Sequence, residues 1–391
     1  MSDDFLTREK QFFLNTYDRI PLNFSYGEGV HLITENGTKY LDFFSGLAVN
    51  ALGYNHPAIN NAIKKQIERF IHLSNYFVAD VQIMFAQKIA GISGMSKVFL
   101  TNSGTEAVEA AVKLIRKIKG PDKTIFSLSH SFHGRTYGAL SLTDRGKYKA
   151  GFQPLPPNTD IIIFNDINDL QKKITSNTAA VFIEFIQGEG GINEASKDFI
   201  NKLFELKDHI GFAIAADEIQ TGIGRTGEPF AFNHYNVEPD ILLVAKSVGG
   251  GLPLGAILTK REYDNAFTPG SHGSTFGGNP VSCAAGLAVL NEIFETDLLS
   301  NVNRNGKYFI NQLKEIQKMF PEYIKDVRGK GFMIGVELSR DCSTVVTELR
   351  KRNVLANCTN ECVLRILPPL IATKTDIDFF LYNFHETLKT L

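Results

Sequence analysis

Only four cysteines occur in 391 residues: Cys283, Cys342, Cys358 and Cys362. So sparse a set fits a reducing compartment, and a cytoplasmic chain is expected. The Cys358-x3-Cys362 spacing has no second ligand pair, so it reads as chance and not as a metal site. No charge sign dominates: 41 Lys and Arg stand against 42 Asp and Glu, a net charge of −1. That balance argues against a general nucleic-acid or membrane-surface binder. No apolar run approaches the length of a membrane span. The opening MSDDFLTREKQFF is mixed in charge and has no apolar signal core. Repeats, low-complexity tracts and polar linkers are missing, and so is the GxxxxGK[ST] phosphate loop.

What is present suits a globular α/β chain. The hydrophobic content of 43% is ample for a core, and the length predicts about two domains. From about residue 57 to 270, short β-rich runs alternate with helical stretches. Asp160–Phe164 and Ala180–Phe185 are two such runs, and the alternation implies a largely parallel sheet flanked by helices. Beyond Pro280, two long amphipathic stretches are expected, Ala284–Phe294 and Tyr308–Met319. A small α+β segment follows, with strands in Gly329–Leu338 and Val363–Leu367.

The apolar run Ile241-Leu242-Leu243-Val244-Ala245 reads as a buried strand ending on Lys246, and Gly249, Gly250 and Gly251 follow closely. Burial lowers a lysine pKa and exposes a nucleophilic amine, which suits a Schiff base. The plainer reading is a lysine that ends a strand and reaches out to solvent. A second apolar strand, Phe212–Ala216, delivers Asp217, Ile219 and Gln220 at its carboxyl end, where ligands collect in open α/β sheets. A buried carboxylate such as Asp217 keeps a proton on the ring nitrogen of pyridoxal phosphate. The plainer reading makes Asp217 a turn cap.

Two further clusters follow strands. Thr101-Asn102-Ser103-Gly104-Thr105-Glu106 opens a helix whose expected buried face is Ala107, Ala111, Leu114, Ile115 and Ile118, and Gly120-Pro121 stops it. Ser103 and Glu106 have capping-box spacing, which needs no ligand. The free N–H groups of Gly104 and Thr105 also suit a phosphate at the positive helix end. In Ser129–Thr136, Phe132 could stack on an aromatic cofactor and Arg135 could clamp a carboxylate bidentately. His130 and His133 lack nearby cysteines or acids to complete a metal site, so both are expected to hydrogen-bond locally.

In order along the chain, SFHGRT, EFIQGEGG, ADEIQTGIGRTG, AKSVGGGLPLGAI and HGSTFGGNP resemble the class III, or ornithine-type, pyridoxal-phosphate-dependent aminotransferases of fold type I. The resemblance runs from about Tyr17 to Pro369. Within the family it is strongest to the acetylornithine branch, through LDFFSGLAVN, HLSNYF, Arg135 and HGSTFGGNP. Leu47 stands where ornithine δ-aminotransferases usually carry a tyrosine, which favours an acylated donor. Phe185 replaces a frequent proline, and Val108 a frequent asparagine; neither touches the cofactor chemistry.

The resemblance implies a set of roles. Lys246 carries the cofactor aldehyde and shuttles a proton. Asp217 pairs with the ring nitrogen. Ile219, Gln220, Phe132 and Glu184 surround the ring. Ser103, Gly104 and Thr105 hold the phosphate, and Thr275 reaches the phosphate of a neighbouring subunit. Arg135, Ser274, Asn75 and Tyr17 lie on the substrate side. Glu189 and Arg365 form a pair that parts when glutamate is bound, or else an ordinary structural ion pair.

It also implies a large domain of residues 57–270, a small one made of residues 1–56 and 271–391, and a homodimer with its active sites at the interface. The expected reaction moves a terminal amino group from N2-acetyl-L-ornithine to 2-oxoglutarate in arginine biosynthesis. Donors such as ornithine, succinylornithine, acyl-lysine or GABA, and an aminomutase reaction, stay open; the intact Lys246 and Asp217 pair argues strongly against a non-catalytic binding role.

Overall fold

The computed structural model describes residues 2–391. Seven strands form the central sheet, in the order Lys97–Thr101, Gly255–Thr259, Ile241–Val244, Ala213–Asp217, Thr178–Ile183, Thr124–Leu128 and Thr159–Ile162. Six share one direction, and Gly255–Thr259 alone runs antiparallel to both of its neighbours. The expected α/β architecture with a mostly parallel sheet is therefore present. The strands Thr178–Ile183, Ala213–Asp217 and Ile241–Val244 are buried at every residue. Their apolar runs suit a sheet covered on both faces.

The helix Gly104–Lys119 shows how sequence sets an element that positions the site. Ser103 caps it by accepting the Glu106 N–H at 3.3 Å. Glu106 returns its carboxylate to the Asn102 N–H at 2.8 Å, one residue earlier than a capping box requires. Ala107, Ala111, Leu114 and Ile115 are buried against the sheet. Ile118 is exposed instead, because it falls in the last turn, past the buried face.

The two helices expected after Pro280 differ in kind. Leu298–Met319 is amphipathic, burying Val302, Phe309, Leu313 and Ile316 along one stripe. Pro280–Phe294 is buried on most sides, between the helices Pro57–Ile67 and Asp80–Ser93 and the turn Lys246–Gly249. Small residues allow this. A Cβ added to Gly286 would meet Leu254, Phe85 and the Val248 carbonyl oxygen, each at 2.8 Å.

An antiparallel sheet joins Ile324–Lys330, Met333–Leu338, Val363–Ile366 and Asn357–Thr359. Near the N-terminus, Phe24–Glu28, His31–Thr34 and Lys39–Asp42 form a meander, and Val354–Leu355 adds to it in parallel. Phe43 stacks on Phe380 of the last helix with ring centroids 5.4 Å apart. Cys342 and Cys358 lie side by side with Cα atoms 5.9 Å apart, a proximity that the cysteine spacing did not signal. Among the described residues, no helix is long and apolar enough to cross a membrane.

Candidate active site

Strand register brings Asp217 and Lys246 to the same end of the sheet. Ala213–Asp217 and Ile241–Val244 run parallel with Asp217 opposite Leu243, and Lys246 follows three residues later. Lys246 begins a 3-10 turn with φ at +50°. A non-glycine residue in the left-handed region costs on the order of 1–3 kcal/mol and persists only where its surroundings hold it. Burial depresses the Lys246 amine below the usual lysine range, and nearby Arg365 adds to this against the pull of Glu189, Asp217 and Glu184. The lysine lines a cavity of about 450 Å³.

The cavity gathers residues from five strand ends. Asn102, Ser103, Gly104 and Thr105 follow Lys97–Thr101, and Phe132 to Arg135 follow Thr124–Leu128. Glu184 and Glu189 follow Thr178–Ile183, while Asp217, Ile219 and Gln220 end the next strand. At the start of Gly104–Lys119, a Cβ on Gly104 would meet Ile219 Cδ1 at 2.8 Å. Glycine there lets Ile219 lie across the helix N-terminus. The first N–H groups of a helix have no intrahelical acceptor, so Gly104 and Thr105 present donors to an anion.

Each carboxylate on the cavity wall is already engaged. Asp217 is buried, and its Oδ2 lies 2.7 Å from His133 Nδ1, while its Oδ1 accepts the Ile219 N–H at 3.1 Å. Burial pulls His133 down, but the hydrogen bond and charge of Asp217, with Glu184 adding, raise it above the usual imidazole range. Its Nε2 is buried without a partner among the described residues. Glu184 accepts from the N–H groups of Phe132 at 3.1 Å and Gly188 at 3.2 Å. Burial, with Asp217 nearby, pushes its carboxyl up. Glu189 pairs with the buried Arg365 at 2.6 Å, and that cation holds its carboxyl low despite burial. Arg365 also donates to Asn357 Oδ1 at 3.2 Å and to Gln220 Oε1 at 3.4 Å.

Arg135 behaves differently. Its guanidinium is exposed at the cavity and has no carboxylate partner among the described residues. Ser274, Thr275, Asn75 and Tyr17 do not line the Lys246 cavity. The first three line a second depression of about 940 Å³, with Thr275 exposed. Asn75 donates to the carbonyl oxygens of Ser274 and Gly277, each at 3.0 Å. Ser274 Oγ accepts from Asn102 Nδ2 at 3.2 Å, which ties this depression to the phosphate-side loop. Tyr17 is 72% exposed. Val49, and not Leu47, is the wall residue contributed by the LDFFSGLAVN segment.

The residues present fit pyridoxal phosphate. An amine of depressed pKa suits an aldehyde, a buried carboxylate suits a pyridinium, Phe132 and Ile219 suit ring faces, and a helix N-terminus suits a phosphate. Among the residues sequence reasoning missed, His133 matters most. It was expected to bond locally, yet it reaches Asp217, 84 residues away. Only its position beside Phe132 in SFHG could have pointed there.

Residues 12–388 match the model of the family described as Aminotransferase class-III. The chain belongs to the class-III aminotransferases. It is 47% identical over 382 residues to the acetylornithine aminotransferase of Aquifex aeolicus, covering 96% of this chain and 100% of that one. In structure it is similar to the acetylornithine aminotransferase of Elizabethkingia anophelis, with TM-score 0.90 and 31% identity, covering 100% of this chain and 99% of that one. It is also similar to the ornithine aminotransferase of Toxoplasma gondii, with TM-score 0.95 and 30% identity, covering 100% and 95%. That structure is described as showing partial occupancy of PLP at its active site.

The His133–Asp217 contact generates a test. A buried hydrogen bond to a charged group contributes about 1.5–3 kcal/mol. His133→Asn is expected to weaken cofactor retention roughly 10- to 100-fold and to shift the pH midpoint of the cofactor's visible absorbance band. Fluorescence titration of the apoenzyme and a spectral pH titration measure both. An unchanged affinity and midpoint would show that His133 does not act on Asp217.

Proposed function

We propose that this class-III aminotransferase moves the terminal amino group of N2-acetyl-L-ornithine to 2-oxoglutarate, with pyridoxal 5'-phosphate as cofactor, in arginine biosynthesis. The observation that carries the choice of donor is the engagement of every carboxylate on the cavity wall. Asp217 holds His133, Glu189 holds Arg365, and Glu184 takes two backbone N–H groups. With those pairings in place, none of the three is left to pair with a free α-ammonium. Arg135 is free for one carboxylate. An acylated amino acid presents that combination: a carboxylate, no second acid, and no charged α-nitrogen. The names carried by the relatives point the same way.

When bound, the cofactor supplies an electron sink for breaking the bond to hydrogen at the substrate carbon. The chain supplies the rest. Lys246 offers a neutral amine for covalent attachment, and its Nζ then carries the proton to and from that carbon. Asp217, oriented by His133, holds a proton on the cofactor's ring nitrogen. Gly104 and Thr105 would hold the phosphate, and Phe132 and Ile219 would flank the ring. Arg135 orients the donor by its carboxylate, so that the distal amine reaches Lys246. The half-reaction would consume a water to release the oxo product before 2-oxoglutarate enters, so ping-pong kinetics are expected. The two carboxylates of 2-oxoglutarate need two cations. Glu189 leaves Arg365 to provide the second.

The same reading includes a homodimer. Thr275 lies apart from Lys246 within one chain, in a depression bordered by the exposed apolar side chains Tyr76 and Phe276. Nearby in sequence, Phe77 and Val78 are exposed as well. An apolar patch of this kind suits burial against a second copy. Thr275 then serves the partner's phosphate. Residues 57–270 form the cofactor domain in this reading, and residues 1–56 pair with 271–391. The parallel pairing of Lys39–Asp42 with Val354–Leu355 supports that division. The cytoplasm is the expected setting.

Two measurements test the reading. The kcat/KM for N2-acetylornithine is expected to exceed that for ornithine and for GABA by ~10-fold or more, since each 1.4 kcal/mol of unpaired charge is worth a factor of ten. A clear win for ornithine or GABA would overturn the donor. In subunit mixtures of Lys246→Ala with Thr275→Trp, roughly a quarter of wild-type activity is expected, because half the dimers are mixed and each has one intact site. No recovery after verified subunit exchange would contradict a shared site.

A further inference from the structure

We propose that Tyr148 is a positioning residue that holds the Arg135 guanidinium over its ring face, with its N–H edges free, for the substrate carboxylate. The proposal rests on the reading of Arg135 as the carboxylate clamp. Arg135 Cζ lies 3.4 Å from the centroid of the Tyr148 ring and 5.8 Å from that of Phe132. Cation–π contacts extend to about 6 Å, so the Tyr148 contact is at the short end. The rings of Tyr148 and Phe132 meet edge to face, with centroids 6.1 Å apart at 84°. One aromatic unit thus touches both the cation and the residue suited to the cofactor ring.

The form of this contact matters. A carboxylate partner would occupy the N–H edges of Arg135, which a substrate must use. A stacked ring occupies only the π face and leaves both N–H forks available. An exposed arginine otherwise samples many rotamers, so a stack on a fixed ring orders it before the substrate arrives.

Tyr148 is itself held. It sits in the short helix Gly146–Lys149. On one flank, the Asp144 carboxylate accepts the His130 N–H at 2.8 Å, and the Asp144 N–H donates to the Ser131 carbonyl at 3.0 Å. Arg145 donates to Asn360 Oδ1 at 3.2 Å and to the Glu189 carbonyl. On the other flank, Lys149 Nζ donates to the Ser141 carbonyl at 3.1 Å. The platform under Arg135 is therefore tied to the backbone of Glu189, the residue that holds Arg365.

The test compares Tyr148→Leu, Tyr148→Met, Tyr148→Phe and Arg135→Lys as holoenzymes. Two donors are used: N2-acetylornithine, and N-acetyl-1,4-diaminobutane, which is the same chain without the carboxylate. Tyr148→Leu and Tyr148→Met are expected to raise KM for N2-acetylornithine about 3- to 30-fold, the range of a cation–π contact, with kcat within about threefold. Tyr148→Phe, which keeps the ring, should restore the wild-type KM. Neither ring deletion should change KM for N-acetyl-1,4-diaminobutane. Three outcomes overturn the proposal: no KM change in either ring deletion while Arg135→Lys is impaired, equal losses with both donors, or failure of Tyr148→Phe to rescue. If Arg135→Lys also leaves KM for N2-acetylornithine unchanged, the clamp reading itself falls, and the role of Tyr148 with it.

Discussion

Lys246 and three carboxylates, Asp217, Glu184 and Glu189, meet in one cavity, and burial sets a cost on each of those charges. The chain meets that cost with separate partners. His133 takes Asp217, Arg365 takes Glu189, and two backbone N–H groups take Glu184. Lys246 has no such partner among the described residues, and burial drives its amine toward the neutral, nucleophilic form. The same packing that makes the lysine reactive holds it at φ +50°. Helix Pro280–Phe294 packs on this turn closely enough that a Cβ on Gly286 would meet the Val248 carbonyl oxygen at 2.8 Å.

Much of this was legible in the residue string. Alternating apolar strands and helices announce a mostly parallel sheet. The strands that end on Asp217 and Lys246, and the capped helix after Ser103, mark its carboxyl edge. The reading runs out where contacts are long-range. Period-two patterning does not reveal strand direction, so the antiparallel Gly255–Thr259 was invisible. The reach of His133 to Asp217, the placing of Arg135 over Tyr148 and the meeting of Cys342 with Cys358 each join segments whose contact no local pattern encodes. Helix Pro280–Phe294 misleads for another reason: its small residues read as one face of an amphipathic stretch, but they allow close approach from several sides.

In the proposed reading, the two arginines divide the recognition of acids. Arg365 is buried and already neutralised, so it becomes available only when Glu189 moves away. Arg135 is exposed and held by a ring, so it is available at all times. A site that must take a donor with one carboxylate and an acceptor with two can use one fixed and one conditional cation. Arg145 bridges these halves through the Glu189 carbonyl, beside the hydroxyl of Thr359, which donates to the same oxygen at 2.8 Å.

The account stands on Lys246 as the amine that carries the cofactor. Borohydride treatment of the holoenzyme fixes the cofactor's carbon to whichever amine bears it, and peptide mapping by mass spectrometry then locates it. The account predicts one pyridoxyl group per chain, on the peptide containing Lys246, with no labelling after Lys246→Ala. A pyridoxyl group on another lysine, or undiminished labelling of Lys246→Ala, would contradict it.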